Sequence, residues 1–324
     1  MLKSIIRFLT PLLVLAVTLG AGYLLLGMFQ QADRRHEESM KPTPATLDAT
    51  ATSTAPAGGS TSPYPWILSY DPSSSIEQRI PAPRGYERVA DLDPEGFAYW
   101  LRHLPLKPPG TPVLLYNGQL RGNQFGHVAV VDIDVGTRDL QQCADAIIRL
   151  RAEYLYSRQK YRRIQFNFTN GTTVEYGKWA QGIRPIVQGN EVTWTKPRLN
   201  AAKDYSYSTF RSYLDTIFTY AGTQSLAQEL APVSPVTVMN IGNVFIQPGS
   251  PGHALIVVDM VENKRNGAKA FLLAQSFMPA QDIHVLRNSR PADTGIWPWF
   301  DMNFGPQLTT MDWKFNRSDL KRFK

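Results

Sequence analysis

The stretch from Phe8 to Gln31 carries no charged residue and is mostly apolar, and it divides the chain before any other feature is read. A helix over this run is long enough to cross the ~30 Å of hydrocarbon in a bilayer. Lys3 and Arg7 precede it, whereas Asp33 to Glu38 after it mix signs. That bias predicts an N-terminus in the cytoplasm and a body outside it. Small residues in VTLGAG offer a signal-peptide cleavage site, but the apolar run continues through Tyr23 to Leu26, so 1–31 is expected to be a cytoplasmic stub and an uncleaved transmembrane helix. No cysteine follows the span closely, so no lipid attachment site is read there.

Residues 32–80 are rich in Pro, Ser, Thr and Ala, as in KPTPATLDATATSTAPAGGSTSP. Such a composition buries too little apolar surface to offset its ordering entropy, which predicts a disordered linker. What remains, 81–313 and a basic tail 314–324, is about 240 residues dense in aromatic and branched side chains, enough for one large core. The first 80 residues carry six basic and six acidic side chains, so the net charge of +7 lies on the folded part. Anionic partners follow from that bias. Nucleic acid is not among the expected partners, because no recognition motif is present and the body is expected outside the cytoplasm.

LDPEGFAYWLRHLPL has helical spacing of Phe97, Trp100, Leu101 and Leu104. TPVLLYNGQL and HVAVVDIDV read as strands. A long helix is expected from Thr137, as N-cap, to about Lys160, with Leu140, Cys143, Ile147, Leu150 and Tyr154 on its buried stripe and Arg149, Arg151 and Arg158 elsewhere. RIQFNFTNGTTVEYGKW reads as a hairpin about Asn170-Gly171, and QGIRPIVQGNEVTWTKPRLN as irregular. Helices are expected over Ser208–Ala221 and SLAQEL. VTVMNIGNVFI, HALIVVDMV and KAFLLAQSF are nearly all apolar, which suits strands covered on both faces. The fold class is therefore α+β, a central and mostly antiparallel sheet packed on a long helix.

Cys143 is the only cysteine in the chain. An exported thiol with no partner either packs as a small apolar residue or reacts. As a nucleophile it needs a base, and His253, opening an apolar strand, is the candidate; His127, in FGHVAVVD, is the reserve base. A third group must hold the imidazole tautomer, and Gln275, at the end of the next strand, is the polar residue placed to do so. A turn centred on Lys264 sets Gln275 opposite His253; one centred on Asn266-Gly267 offsets them. Asp259 shares the parity of His253 but lies roughly 20 Å along the strand, too far to serve. Gln142 is the candidate oxyanion donor. A start at Thr137 would leave Cys143 almost two turns inside the helix, where the dipole has faded. His253, His284 and Asp282 lack metal-ligand spacing, and no phosphate loop or nucleophile elbow is present, so neither metal nor cofactor is expected.

QCADAIIRLRAEYLY, YAGTQSL, IGNVFIQPGSPGHALIVVDM and FLLAQSFMPAQDIHVL together resemble the bacterial domain-of-unknown-function family DUF4846, from about Gly85 to Trp299. The resemblance names a family without an activity; its members are often envelope lipoproteins, and this chain departs from them in its expected span. IGNVFIQPGSPGHALIVVD is also similar to a segment of NlpC-type and CHAP-type amidases, with Asn243 where those enzymes usually have Asp and with no D-C-S-G motif. That similarity implies a papain-like domain in which Cys143, His253 and Gln275 are catalytic. Location and resemblance together imply a single-pass protein of a bacterial inner membrane with its C-terminal domain in the periplasm. The expected function is a cysteine amidase or peptidase acting on cell-wall peptides. The alternative is a non-catalytic, membrane-anchored envelope binding or scaffold protein, with peptidoglycan peptides or envelope proteins as partners in either case.

Overall fold

The run HALIVVDMV lies in a strand, His253–Asn263, whose residues from His253 to Val261 are all buried. Successive side chains of a strand point to opposite faces, so burial of every one means that both faces are covered. The computed structural model, which describes residues 62–197, 202–288 and 296–324, sets this strand inside a mixed α+β body. Among the described residues the main sheet has nine strands. They are β1 (Tyr86–Arg88), β2 (His127–Val130), β3 (Ala231–Pro232), β4 (Val244–Gln247), β5 (His253–Asn263), β6 (Lys269–Gln275), β7 (His284–Leu286), β8 (Phe300–Asp301) and β9 (Leu320–Arg322). Their order is β2-β7-β6-β5-β4-β9-β3, with β1 beside β5 and β8 beside β6. Every pairing is antiparallel.

The β5–β6 hairpin turns between Arg265 and Asn266, with Gly267 at a φ of 69°. Asp259 pairs with Leu272, but Val257 pairs with Leu273, so Val258 is an extra residue, a β-bulge. A one-residue shift exchanges the faces of a strand. Asp259 therefore does not share a face with His253, as even spacing predicts. It points to the side of helix α1 (Phe97–Arg102), where Arg102 Nε is 2.7 Å and Arg88 Nε 2.8 Å from its carboxylate oxygens.

Helix α2 (Cys143–Ser157) packs with α1 on this side of the sheet, Tyr154 against Phe97 at 5.1 Å between ring centroids. Helices α3 (Tyr207–Tyr220) and α4 (Thr223–Glu229) follow. The opposite face carries Phe245 and Phe271, covered by Phe304 and by Phe315 of the hairpin Gln307–Thr309/Lys314–Asn316. Because α3 lies against α2, that helix is buried nearly all round, and Arg149, expected away from the buried stripe, is fully buried. Arg149 is satisfied by Glu153 at 2.7 Å, Gln141 Oε1 at 2.8 Å and Asp134 at 3.1 Å, and Tyr207 of α3 donates to Glu153 at 2.7 Å.

Several sequence expectations change. The span Phe8–Gln31 lies outside the described residues, and among the described residues no helix is long and apolar enough to cross a membrane. The expected linker ends too late: Tyr64 is buried, its hydroxyl donating to Trp100 O at 3.0 Å, and Ile76 is buried as well. The tail is not frayed, since β9 inserts between β4 and β3 and buries Leu320. The stretch read as irregular contains a hairpin, Pro185–Gln188 with Glu191–Trp194, closed by Gly189 at a φ of 59°. The hairpin about Asn170-Gly171 forms as read.

Asp259 is a single buried anion between two cations. Removing one partner of a buried ion pair typically costs about 3–5 kcal/mol, because the remaining charge keeps its desolvation penalty. Asp259→Ala, leaving Arg88 and Arg102 without it, is expected to lower unfolding stability by that amount in urea titration; a change below about 1 kcal/mol would mean that water reaches the cluster.

Candidate active site

Helix α2 begins at Cys143, not at Thr137. Gln142 is its N-cap in extended conformation, and the Asp145 carboxylate accepts the Gln142 N–H at 3.1 Å. The residues expected to form the first turns are used elsewhere. Asp139 Oδ1 accepts the Ala280 N–H at 2.7 Å and the Gln142 side-chain amide at 3.1 Å, and Ser276 Oγ lies 2.9 Å from Gln141 O. The helix thus starts where these tethers end. Cys143 becomes its first residue, where the N-terminal partial charge is greatest.

Val257 donates to Asn243 O on the β4 side. N–H directions alternate along a strand, so Ala254 N–H points the other way, past the end of β6 at Gln275. The Cys143 sulfur lies on that side, where the backbone N–H groups of Ala144, Ala254 and Cys143 itself favour its thiolate. Cys143 is therefore brought, at the level of the sheet backbone, to the residue after His253.

The bulge also decides where Gln275 points. With Ala274 opposite Ile256, continued register sets Phe277 opposite His253 and Gln275 two residues back on the same face. Without the extra residue Gln275 would fall on the other face. As folded, His253 Nε2 is 2.8 Å from Gln275 Oε1. The amide on the other side of Gln275 is 2.8 Å from Asp312 Oδ2, which accepts from Arg121 at 2.7 Å. A carboxylate only accepts, so the Gln275 NH2 must face Asp312 and its oxygen must face His253. His253 consequently carries its proton on Nε2, and Nδ1 is unprotonated. His284 fits the same network: its Nδ1 donates to Asp282 O at 2.8 Å, so its Nε2 accepts from Arg121 at 3.2 Å.

The site is closed. Cys143 is 7% exposed and His253 1%, and the imidazole is walled by Phe277 at 4.7 Å and Trp313 at 5.3 Å between ring centroids. Burial pushes the Cys143 thiol up to about 11, and the Asp145 carboxylate adds to this, against the backbone N–H groups. Burial likewise pulls His253 down to about 4, although Gln275 and Asp312 favour the cation. His284 is pulled to about 3 by burial and by Arg121. At rest both groups are neutral, a thiol and an imidazole.

The other sequence candidates are not brought to His253 and Gln275. His127, the reserve base, starts β2, two strands beyond β6, and its Nε2 donates to Thr111 O at 3.3 Å. The Gln142 amide is committed to Asp139 and does not stand free for an oxyanion. Asp312 and Arg121 were missed by sequence reasoning, and nothing local marks them: Asp312 lies 37 residues from Gln275 and 191 from Arg121. Among the described residues no cluster of ligating side chains could hold a metal ion.

With this geometry in view, the family model for Domain of unknown function (4846) matches residues 76–322. The chain belongs to the DUF4846 family. The start of the match at Ile76 agrees with the packed N-terminal segment rather than with a body beginning at Pro81. No curated protein and no solved structure matches the chain.

A histidine with a lowered folded pKa contributes stability above its unfolded pKa, and that stability is lost as pH falls. For His253, about 6.5 unfolded and about 4 folded, the loss runs from pH 6.5 down to about 4. His284 titrates over the same window and below it. Unfolding stability is expected to fall by up to about 3 kcal/mol per histidine across that range. In His253→Gln the slope against pH should drop by about one proton; an unchanged slope would show that His253 is not held neutral.

Proposed function

We propose that this DUF4846 domain is a papain-like cysteine amidase or peptidase in which Cys143 is the nucleophile, His253 the base and Gln275 its orienter. The observation that carries the reading is the conjunction of a thiol at a helix N-terminus, its thiolate favoured by the Ala254 N–H, with a histidine next to Ala254 whose tautomer is fixed by Gln275. Chemically, the Cys143 proton passes to His253 Nδ1 as sulfur attacks the carbonyl carbon. The oxyanion forms near the Cys143 N–H, one of the helix's first N–H groups and without an intrahelical partner. The carbon–nitrogen bond breaks as His253 returns the proton to the leaving amine, and water then hydrolyses the thioester. His253 Nε2–H remains on Gln275 throughout. Peptides of the cell wall are the proposed substrates, on the strength of the expected membrane anchor and periplasmic location and of the amidase-like run about His253.

Asp312 and Arg121 are positioning residues in this scheme. Asp312→Asn presents an amide that can donate or accept, so Gln275 is free to turn and His253 to take the other tautomer. Losing a hydrogen bond to a charged group costs about 1.5–3 kcal/mol, so kcat/KM should fall roughly 10- to 100-fold, with a changed pH profile. A loss of melting temperature with unchanged kcat/KM per folded molecule would make Asp312 structural only.

The burial of Cys143 and its raised pKa favour a second reading, a non-catalytic envelope binding module. Hydrolysis of a panel of muropeptides and peptides separates the two. The enzyme reading expects products from the wild type and none from Cys143→Ala or His253→Gln. A wild type that leaves the whole panel intact, with iodoacetamide labelling about a hundredfold slower than free cysteine at neutral pH, supports the binding module.

A further inference from the structure

At the end of α2 remote from Cys143 a cavity of about 480 Å³ opens between that helix, the turn Tyr161–Arg163, the strand Gln165–Asn167, the end of α4 and the last residues after β9. Its size falls within the range of small-molecule sites. Arg151, Arg162 and Arg163 line it, and among the described residues none of them forms an ion pair. The buried arginines Arg102, Arg121 and Arg149 each meet a carboxylate, whereas Arg151, half-buried in this lining, does not, and Arg162 and Arg163 stand exposed at its mouth.

Arg151 is held in place without a counter-charge. Its guanidinium carbon lies 5.0 Å from the ring centroids of Phe97 and Phe323 and 5.5 Å from that of Tyr154. The aromatic faces orient the group, but they do not neutralise it. Burial and the neighbouring Arg163 pull its pKa down to about 10, a direction that a bound anion would reverse. The acidic side chain in the lining is Glu229, which accepts the Asn167 N–H at 2.7 Å and has the further cation Lys324 near it. Burial raises Glu229 to about 7, so it is only partly ionised at neutral pH and offsets little of the arginine charge.

We propose that this cavity binds a phosphate-bearing ligand, its phosphate held by Arg151, Arg162 and Arg163. Three guanidinium groups match a dianionic tetrahedral group better than a single carboxylate, because each fork supplies paired donors. The apolar lining, Leu155, Phe166 and Phe323, leaves room for an organic body beyond the phosphate. The shared chemistry is a phosphate ester, whether a soluble monoester or a lipid headgroup. This proposal stands on residues apart from Cys143 and is independent of the hydrolase reading.

The test titrates the purified full chain with glycerol phosphate by calorimetry, and in parallel measures sedimentation with vesicles of phosphatidic acid in phosphatidylcholine. Arg162 and Arg163 are exposed, so the double variant Arg162→Gln, Arg163→Gln should fold, and Arg138→Gln serves as a surface control. Expected is saturable binding to one or both probes, weakened at least tenfold in the double variant and unchanged in the control. Binding of glycerol phosphate alone assigns a soluble ester. Vesicle binding competed by glycerol phosphate assigns a lipid. Absence of saturation by roughly 10 mM glycerol phosphate together with no vesicle binding, or binding that the double variant leaves intact, overturns the proposal.

Discussion

The extra residue Val258 in strand β5 is the constraint on which the rest of this structure depends. Ahead of the bulge, His253 and Gln275 share the face covered by the Gln307–Asn316 hairpin; beyond it, Asp259 turns to the helix-bearing face and meets Arg88 and Arg102. A regular hairpin would send one of these groups to the wrong side. Gln275 would then lose His253, or Asp259 would face an aromatic layer with no cation. The bulge lets one strand serve a structural ion cluster at one end and a polar site at the other, while both of its faces stay buried.

Around the site, each polar group fixes the next. Arg121 holds Asp312, whose carboxylate fixes the Gln275 amide, whose oxygen fixes the proton of His253 on Nε2. Burial makes this ordering strong, because an unpaired polar group here would keep its desolvation cost. It also keeps thiol and imidazole neutral at rest. For a hydrolase this means proton transfer on attack rather than a standing ion pair, and it requires the cover around Phe277 to admit a substrate. The loop that follows Gln275 is tied to the chain before Cys143 through Ser276 and Ala280, so the same tethers that end the loop also set where the helix starts.

Much of this could be read from residue patterns. Strand ends marked by His253 and Gln275 in otherwise apolar runs pointed to the pair, because a polar group at the end of a buried strand needs a partner there, but the turn that sets their register stayed open between Lys264 and Asn266-Gly267. The long helix was legible from its apolar spacing, but its start was not, since Thr137 and Asp139 carry cap chemistry that the fold spends on Ala280 and Gln142. The bulge left no trace, as an added valine in HALIVVDMV changes neither composition nor apolarity. Asp312 and Arg121 could not be found either, because long-range pairing leaves no local periodicity. Arg149 was misplaced for a related reason: spacing within one helix does not reveal a second helix packed on its far side.

The central claim is that Gln275, held by Asp312, keeps the His253 proton on Nε2 and leaves Nδ1 unprotonated. Nitrogen-15 NMR of histidine-labelled protein at neutral pH reads this directly, through the shifts and two-bond proton couplings of each ring nitrogen. The account predicts a neutral His253 with a protonated Nε2 and an unprotonated Nδ1, and a shift toward mixed tautomers in Asp312→Asn. A His253 protonated on Nδ1 in the wild type would contradict it.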